Sequence, residues 1–168
     1  MTEFQKYIQR YLDFIPTENW MEELSKSDHE TLAIYSKLND ESALFKYAGN
    51  KWSLKEMLQH LIDCERIFQY RALSISRGDK QNLPGFDEEL FAKNSNADGR
   101  SLADLISEYA LVRSSSLILF KSFPQHTLSN KGFTNGNEIS AETIGKLIVG
   151  HNLHHLNIIN ERYLPEII

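Results

Sequence analysis

Residues 52–68 read WSLKEMLQHLIDCERIF, and the fold is decided here. Ser53 is a good helix N-cap and Glu56 follows three residues later, the spacing of a capping box, in which each side chain takes up a backbone N–H that the helix start leaves without a partner. Trp52 and Met57 flank the box as a hydrophobic staple. Leu58, Leu61, Phe68 and Ala72 carry the apolar pattern onward, and Gly78 closes it, so a helix is predicted over 53–78.

Working outward, three further helices have the same kind of support. Trp20, Met21, Leu24, Thr31, Leu32, Tyr35 and Leu38 fall near helical spacing and predict a helix over 17–38. Ser101 can cap a helix with Asp104 in its first turn; Leu105, Tyr109, Val112, Leu117 and Phe120 give it an apolar side, and Pro124 stops it. Ser140 caps the last, with Ile139 and Ile144 in staple positions, and it is predicted to run to about Leu164, ahead of Pro165. Phe4, Ile8, Tyr11 and Ile15 share a face, which predicts a short amphipathic N-terminal helix. No run alternates with the period of two that a half-buried strand requires; Phe133-Thr134-Asn135-Gly136-Asn137 reads as a turn or short hairpin. The expectation is therefore all-α: an antiparallel four-helix bundle, a single domain over residues 1–168, with a long crossover between its second and third helices. That crossover carries Pro84, Gly85, Phe86 and Asp87, and long connections of this kind are often binding loops or lids.

Composition narrows the function classes. Eighteen basic residues against 23 acidic ones leave a net charge of −5, without the basic footprint of a nucleic-acid binder. One cysteine, Cys64, excludes a disulfide within the chain and fits a reducing compartment. The first sixteen residues, MTEFQKYIQRYLDFIP, carry charges throughout and do not read as a signal peptide. No apolar run approaches the ~20 residues of a membrane span. The expected address is the cytoplasm.

Three histidines carry the chemistry. His151 and His155 stand four apart in GHNLHHLNI, on the side of the last helix that also holds Ile144, Leu147, Ile148 and Ile158, so both are expected to point inward. Two bare imidazoles in a core need polar partners, since an unpaired buried polar group costs ~1–3 kcal/mol. His60, at the edge of the apolar side of the second helix, can supply a third nitrogen. Three neutral imidazoles suit a divalent transition metal: zinc or nickel first, with iron and manganese also accommodated. His154, three after His151, has a usable spacing too, but the 151/155 pair centres better on the apolar stripe. His29 and His126 sit in polar surroundings and read as surface residues. Cys64 reads as a small buried hydrophobe, with a fourth ligand or nucleophile as the alternative. Asp63 and Glu65 can orient a ligating imidazole or can belong to a solvated face with Arg66. Asp87 reads as loop polarity, or as a group that reaches a substrate.

Residues Lys51 to Asp63, the Glu65-Arg66-Ile67-Phe68 that follows, the loop Arg77-Gly78-Asp79 with Leu83-Pro84-Gly85-Phe86-Asp87, and Gly150-His151-Asn152-Leu153-His154-His155-Leu156 together resemble the DinB-like superfamily, in order and over nearly the whole chain. The resemblance implies an antiparallel four-helix bundle with the long crossover, and a metal held by His60, His151 and His155. It also implies homodimers, and activities that range from thiol-dependent transfer to metal-dependent hydrolysis. Three functional readings follow. The first is an enzyme on a small-molecule substrate: a transferase activating a low-molecular-weight thiol, or, second for want of an assured general base, a hydrolase using metal-bound water. The second is a non-catalytic metal- or ligand-binding module. The third is a bundle whose histidines are satisfied without metal.

Overall fold

The computed structural model describes residues 1–167. Seven α-helices occur among them: α1 (Glu3–Leu12), α2 (Trp20–Tyr35), α3 (Leu54–Ser76), α4 (Glu88–Asn94), α5 (Leu102–Ser122), α6 (Ala141–Ile158) and a last turn, α7 (Leu164–Ile167). Helices α2, α3, α5 and α6 form the four-helix bundle. The Ser53–Glu56 capping box starts α3 as the sequence indicates, with each side chain on the other's backbone N–H. Ser101 and Ser140 cap α5 and α6 by accepting from Asp104 N and Thr143 N. The predicted 17–38 helix is shorter at both ends, because Asn19 provides the cap and Thr17 instead donates to Glu23.

The connections decide which helices are neighbours. Helix α3 packs on α5 and α6, and so does α2, so α2 and α3 sit diagonally. Leu24 O meets Arg113 and Thr31 meets Asn152, whose amide also meets Tyr109, so α2 runs antiparallel to α5. Helix α3 is antiparallel to α6: Trp52 O meets Tyr163, and His60 meets His151. The long crossover returns the chain to its starting end, so α3 and α5 lie side by side in the same direction, through Gln59–Arg100, Glu65–Arg113 and Gln69–Ser116.

The short hairpin read at 133–137 is present, and it belongs to a small three-stranded sheet that the sequence pattern did not otherwise indicate. Strands β1 (Asn82–Leu83), β2 (Lys131–Thr134) and β3 (Asn137–Ser140) stand in that order, β1 parallel to β2 and β2 antiparallel to β3. Asn135 and Gly136 join β2 to β3 with φ of 48° and 76°, the doubly positive pair of a tight hairpin turn that Asn-Gly accepts readily. Two-residue β1 is too short to leave a period in sequence. The end of α6 differs as well. Residues Ile159–Tyr163 form a π turn, and the helix resumes as α7 through Pro165. The wider turn precedes a residue that has no N–H to give, which is why this proline does not end the helical path.

The core is in two parts with a polar belt between them. Trp20, Leu24, Phe120, Ile144 and Ile148 belong to one apolar cluster; Tyr35, Leu54, Leu58, Leu105 and Ile159 belong to the other. At the level between them, Arg113 donates to both carboxylate oxygens of Glu65 at 2.8 and 2.9 Å, to Leu24 O, to Ser27 Oγ and to Asn152 Oδ1. Ser116 Oγ donates to the same Glu65, and Tyr109 donates to Asn152. A fully buried guanidinium is tolerable only when its donors are met in this way. The histidines lie on the same belt.

Helix α1 covers one side of the bundle by close backbone approach. A Cβ on Gly150 would stand 2.2 Å from Tyr11 O, so only glycine lets α1 lie against α6 at this point. Gly150→Ala is expected to push α1 outward and cost ~1–3 kcal/mol, as overpacking does. Hydrogen exchange checks this: faster exchange confined to α1 is the expected pattern, and unchanged protection there would contradict it.

Candidate metal centre

His60 is carried by α3, one turn beyond the staple, and its ring lies against Trp52 with centroids 4.6 Å apart. His151 and His155 are carried by α6, one turn apart on its inward side. All three are buried, at 5%, 7% and 8% exposure. His60 Nε2 lies 3.0 Å from His151 Nε2, and His155 Nε2 lies 3.1 Å from the same atom. The structure thus brings together the three sequence-predicted residues, with His151 at the hub. His154 turns the other way, edge-on to Tyr11 and Phe14. His29 is exposed with its Nδ1 on Ser25 O, and His126 is exposed.

Cys64 is the surprise. Read as a core filler, it is buried, yet one donor atom each from His60, Cys64 and His151 lie within 4.8 Å of one another, a group that can hold a metal ion. Its Sγ is 3.6 Å from His60 Nδ1 and 3.7 Å from His60 Nε2. Near-equal distances to both ring nitrogens place the sulfur off either lone-pair direction, a packing contact more than a hydrogen bond.

The convergence is poorly satisfied by imidazoles alone. Burial, then the neighbouring charge of His154, lowers His60 to about 4. Burial, followed by the adjoining histidines, holds His151 and His155 well below the usual value. All three are therefore neutral near pH 7, and each has one proton and one lone pair. His151 Nε2 carries a single lone pair or a single proton, so it cannot bond well to both neighbours. His155 Nδ1 is buried with no hydrogen-bond partner. A cation would draw on the three Nε2 lone pairs together. Tetrahedral zinc with bonds of ~2.0–2.1 Å separates its nitrogens by about 3.3 Å, close to the two spacings that His151 makes with His60 and His155. The donor set fits a divalent metal.

These neutral rings make a pH prediction for the metal-free protein. The unfolded chain takes up protons near pH 6.5, while folded His60 takes one only near pH 4. Between those values the unfolded state binds more protons, so stability falls as pH falls, by about 3 kcal/mol from His60 alone. Urea midpoints measured after chelation at pH 7 and at pH 4.5 check this. A His60→Leu variant is expected to lose less stability over the same interval, and an identical slope would contradict the assignment.

Beside the cluster lies a cavity of ≈ 80 Å³, partly open to solvent, with His151 in its wall. Phe4, Phe68 and Phe86 line it with Tyr7 and Tyr11, and its charged groups are Arg71 and Glu88. Burial first, then the charges of Glu89 and Asp87, raises the Glu88 carboxyl above its usual range. The three acids that the sequence nominates are engaged elsewhere. Asp63 accepts from Gln59, Glu65 is held by Arg113, and Asp87 caps α4 by accepting from Leu90 N. Glu88 and Arg71 escape a reading by periodicity, since each is one polar residue among several on its segment; only the packing of α3 against α6 and of α4 against α3 brings them to one cavity with His151.

Residues 23–159 match the DinB superfamily. The chain belongs to the DinB superfamily. Among solved structures, it is similar to YfiT from Bacillus subtilis, described as a probable metal-dependent hydrolase with an unusual four-helix bundle topology. The likeness has a TM-score of 0.73 at 15% identity and covers 86% of this chain and 83% of that one. At that identity the likeness establishes the fold. No curated protein matches the chain. Among the described residues, no helix of this superfamily member is long and apolar enough to cross a membrane.

Proposed function

We propose that this protein is a divalent-metal-dependent enzyme that hydrolyses a small molecule in the cavity beside His151. His60, His151 and His155 would hold the metal, with zinc or nickel the leading candidates and Cys64 beside them as a packed neutral thiol. The observation that carries the reading is the meeting of three buried, neutral imidazoles at His151, which itself stands in the wall of a largely aromatic and aliphatic cavity. When bound, the ion supplies Lewis acidity toward a water molecule or a substrate carbonyl.

The remaining work falls to this chain's own residues. The sequence ranks hydrolysis second because it offers no assured general base. Glu88 changes that ranking: it is a half-buried carboxyl in the same cavity wall as His151. Its raised pKa brings it closer to the value at which a carboxyl both takes and returns a proton near neutrality. Phe4, Phe68 and Phe86 would exclude bulk water from the apolar part of a bound substrate.

A second reading is transfer of a low-molecular-weight thiol. Arg71, a cation in the wall of the cavity beside His151, would attract an incoming thiolate there.

The test is elemental analysis of protein purified without a metal-affinity column, followed by chelator-sensitive turnover of a panel of small esters and amides, with and without added thiol. Glu88→Gln is expected to lower kcat at least a hundredfold while metal content stays unchanged. Turnover that requires thiol and ignores Glu88→Gln would select the transferase. Absence of chelator-sensitive turnover on either panel would leave a binding module.

A further inference from the structure

We propose that the cavity beside His151 selects substrates bearing a carboxylate, which Arg71 binds, with the short apolar chain of the substrate among Phe4, Phe68 and Phe86. This deepens the preceding proposal and rests on its reading of the cavity as the substrate site.

Arg71 is a half-buried cation in the cavity wall. One of its five N–H groups is occupied: Nη2 donates to Pro84 O at 2.7 Å. Its guanidinium carbon stands 5.6 Å from the centre of the Phe86 ring, within cation–π range. Among the described residues it forms no ion pair. Glu88 lines the same cavity, and the two do not pair with each other. This differs from the buried Arg113, whose guanidinium is met by Glu65 and three further acceptors. A planar fork held by one carbonyl and one ring, with its other donors open to a cavity, matches a carboxylate in geometry and charge.

The rest of the cavity narrows the class. Its ≈ 80 Å³ is about half the ~150 Å³ that admits benzene, so it accepts a short aliphatic acid, or the acid-bearing end of a longer molecule that continues through the open side. Five aromatic rings and no second arginine in the wall disfavour a phosphate, whose larger charge needs more donors. The combination assigns Arg71 to the acid, the aromatic wall to the chain, and the histidine end to the reacting centre. Glu88 is left available for proton transfer.

Calorimetric titration of the full chain, both metal-loaded and chelator-treated, tests this with butyrate as probe and butanamide as its uncharged counterpart. Butyrate is expected to bind both forms at least tenfold more tightly than butanamide. Arg71→Gln is expected to abolish that preference, and Arg71→Lys to keep part of it. The comparison of butyrate with butanamide needs no variant and stands if Arg71→Gln folds poorly. Equal binding of butyrate and butanamide, equal affinity in Arg71→Gln and the parent, or tighter binding of inorganic phosphate than of butyrate would each overturn the assignment. The two proposals fail separately. A protein that binds no metal but retains Arg71-dependent butyrate binding loses the metal reading and keeps this one. A metal-loaded enzyme indifferent to Arg71 does the reverse.

Discussion

His151→Ala is expected to leave the protein with almost no bound metal, whereas His126→Ala retains the parent's content. His151 is the hub of the cluster, with Nε2 3.0 Å from that of His60 and 3.1 Å from that of His155. Without it, the remaining pair come from different helices and lose the nitrogen that both face. A three-ligand centre reduced to two retains little affinity, and the change also opens space beside the apolar wall that Phe68 and Leu147 provide. His126 is exposed and lies outside the cluster, so it controls for loosely held surface metal. Elemental analysis after exhaustive dialysis is the measurement. His155→Ala is expected to fall between the two, because His60, His151 and Cys64 remain as a possible donor group. Parent-level metal in His151→Ala would remove the basis of the proposed function.

Glu65→Ala is expected to destabilise the fold by ~3–5 kcal/mol. The carboxylate is 3% exposed and accepts from Arg113 and Ser116, and Arg113 itself is 1% exposed. Deleting the acid leaves a buried guanidinium without the carboxylate it is bonded to, and with only the weaker field of Asp28 to replace it. A protein of this size has ~5–15 kcal/mol of stability in all, so the loss approaches the threshold of unfolding. The double change Glu65→Leu, Arg113→Met removes both charges and is expected to recover most of the loss, since an apolar pair of similar volume carries no desolvation cost. Urea midpoints of the parent, Glu65→Leu, Arg113→Met and the double variant give the coupling directly. A single-variant loss below about 1 kcal/mol would mean that the pair does not govern the belt. The double variant has a second use. Asn152 Oδ1 accepts from Arg113 and sits next to His151 in the chain, so a restored fold with impaired metal binding would show that the belt also sets the position of the α6 histidines.

The capping residues, the apolar stripes and the histidine spacing were all legible in the chain because they are local. Ser53 with Glu56, Ser101 with Asp104, and Ser140 with its following turn each satisfy backbone groups within four residues, so no distant contact is needed to read them. His151 and His155 share a face by helical geometry alone. The Asn135-Gly136 hairpin was legible for the same reason, but the strand added to it was not: β1 is two residues long and pairs with a strand about fifty positions away. Nor was the buried role of Arg113 and Glu65, because in sequence they are charges on helices, and charges on helices usually face water. Cys64 shows the same limit in reverse. A buried cysteine and a cysteine beside two imidazoles have the same local pattern.

By itself, then, the sequence determined the helices, their caps, the inward histidine pair and membership in a helical class, because periodicity and capping act over a turn or two. Only the tertiary structure decided that His60 meets His151, that α3 and α5 run in the same direction, that a buried ion pair divides the core, and that Arg71 and Glu88 reach one cavity with His151. Those depend on how the long crossover returns the chain and how α1 closes over Gly150. Contacts of that kind are set by packing between segments far apart in sequence, where no residue carries a local mark of its eventual partner.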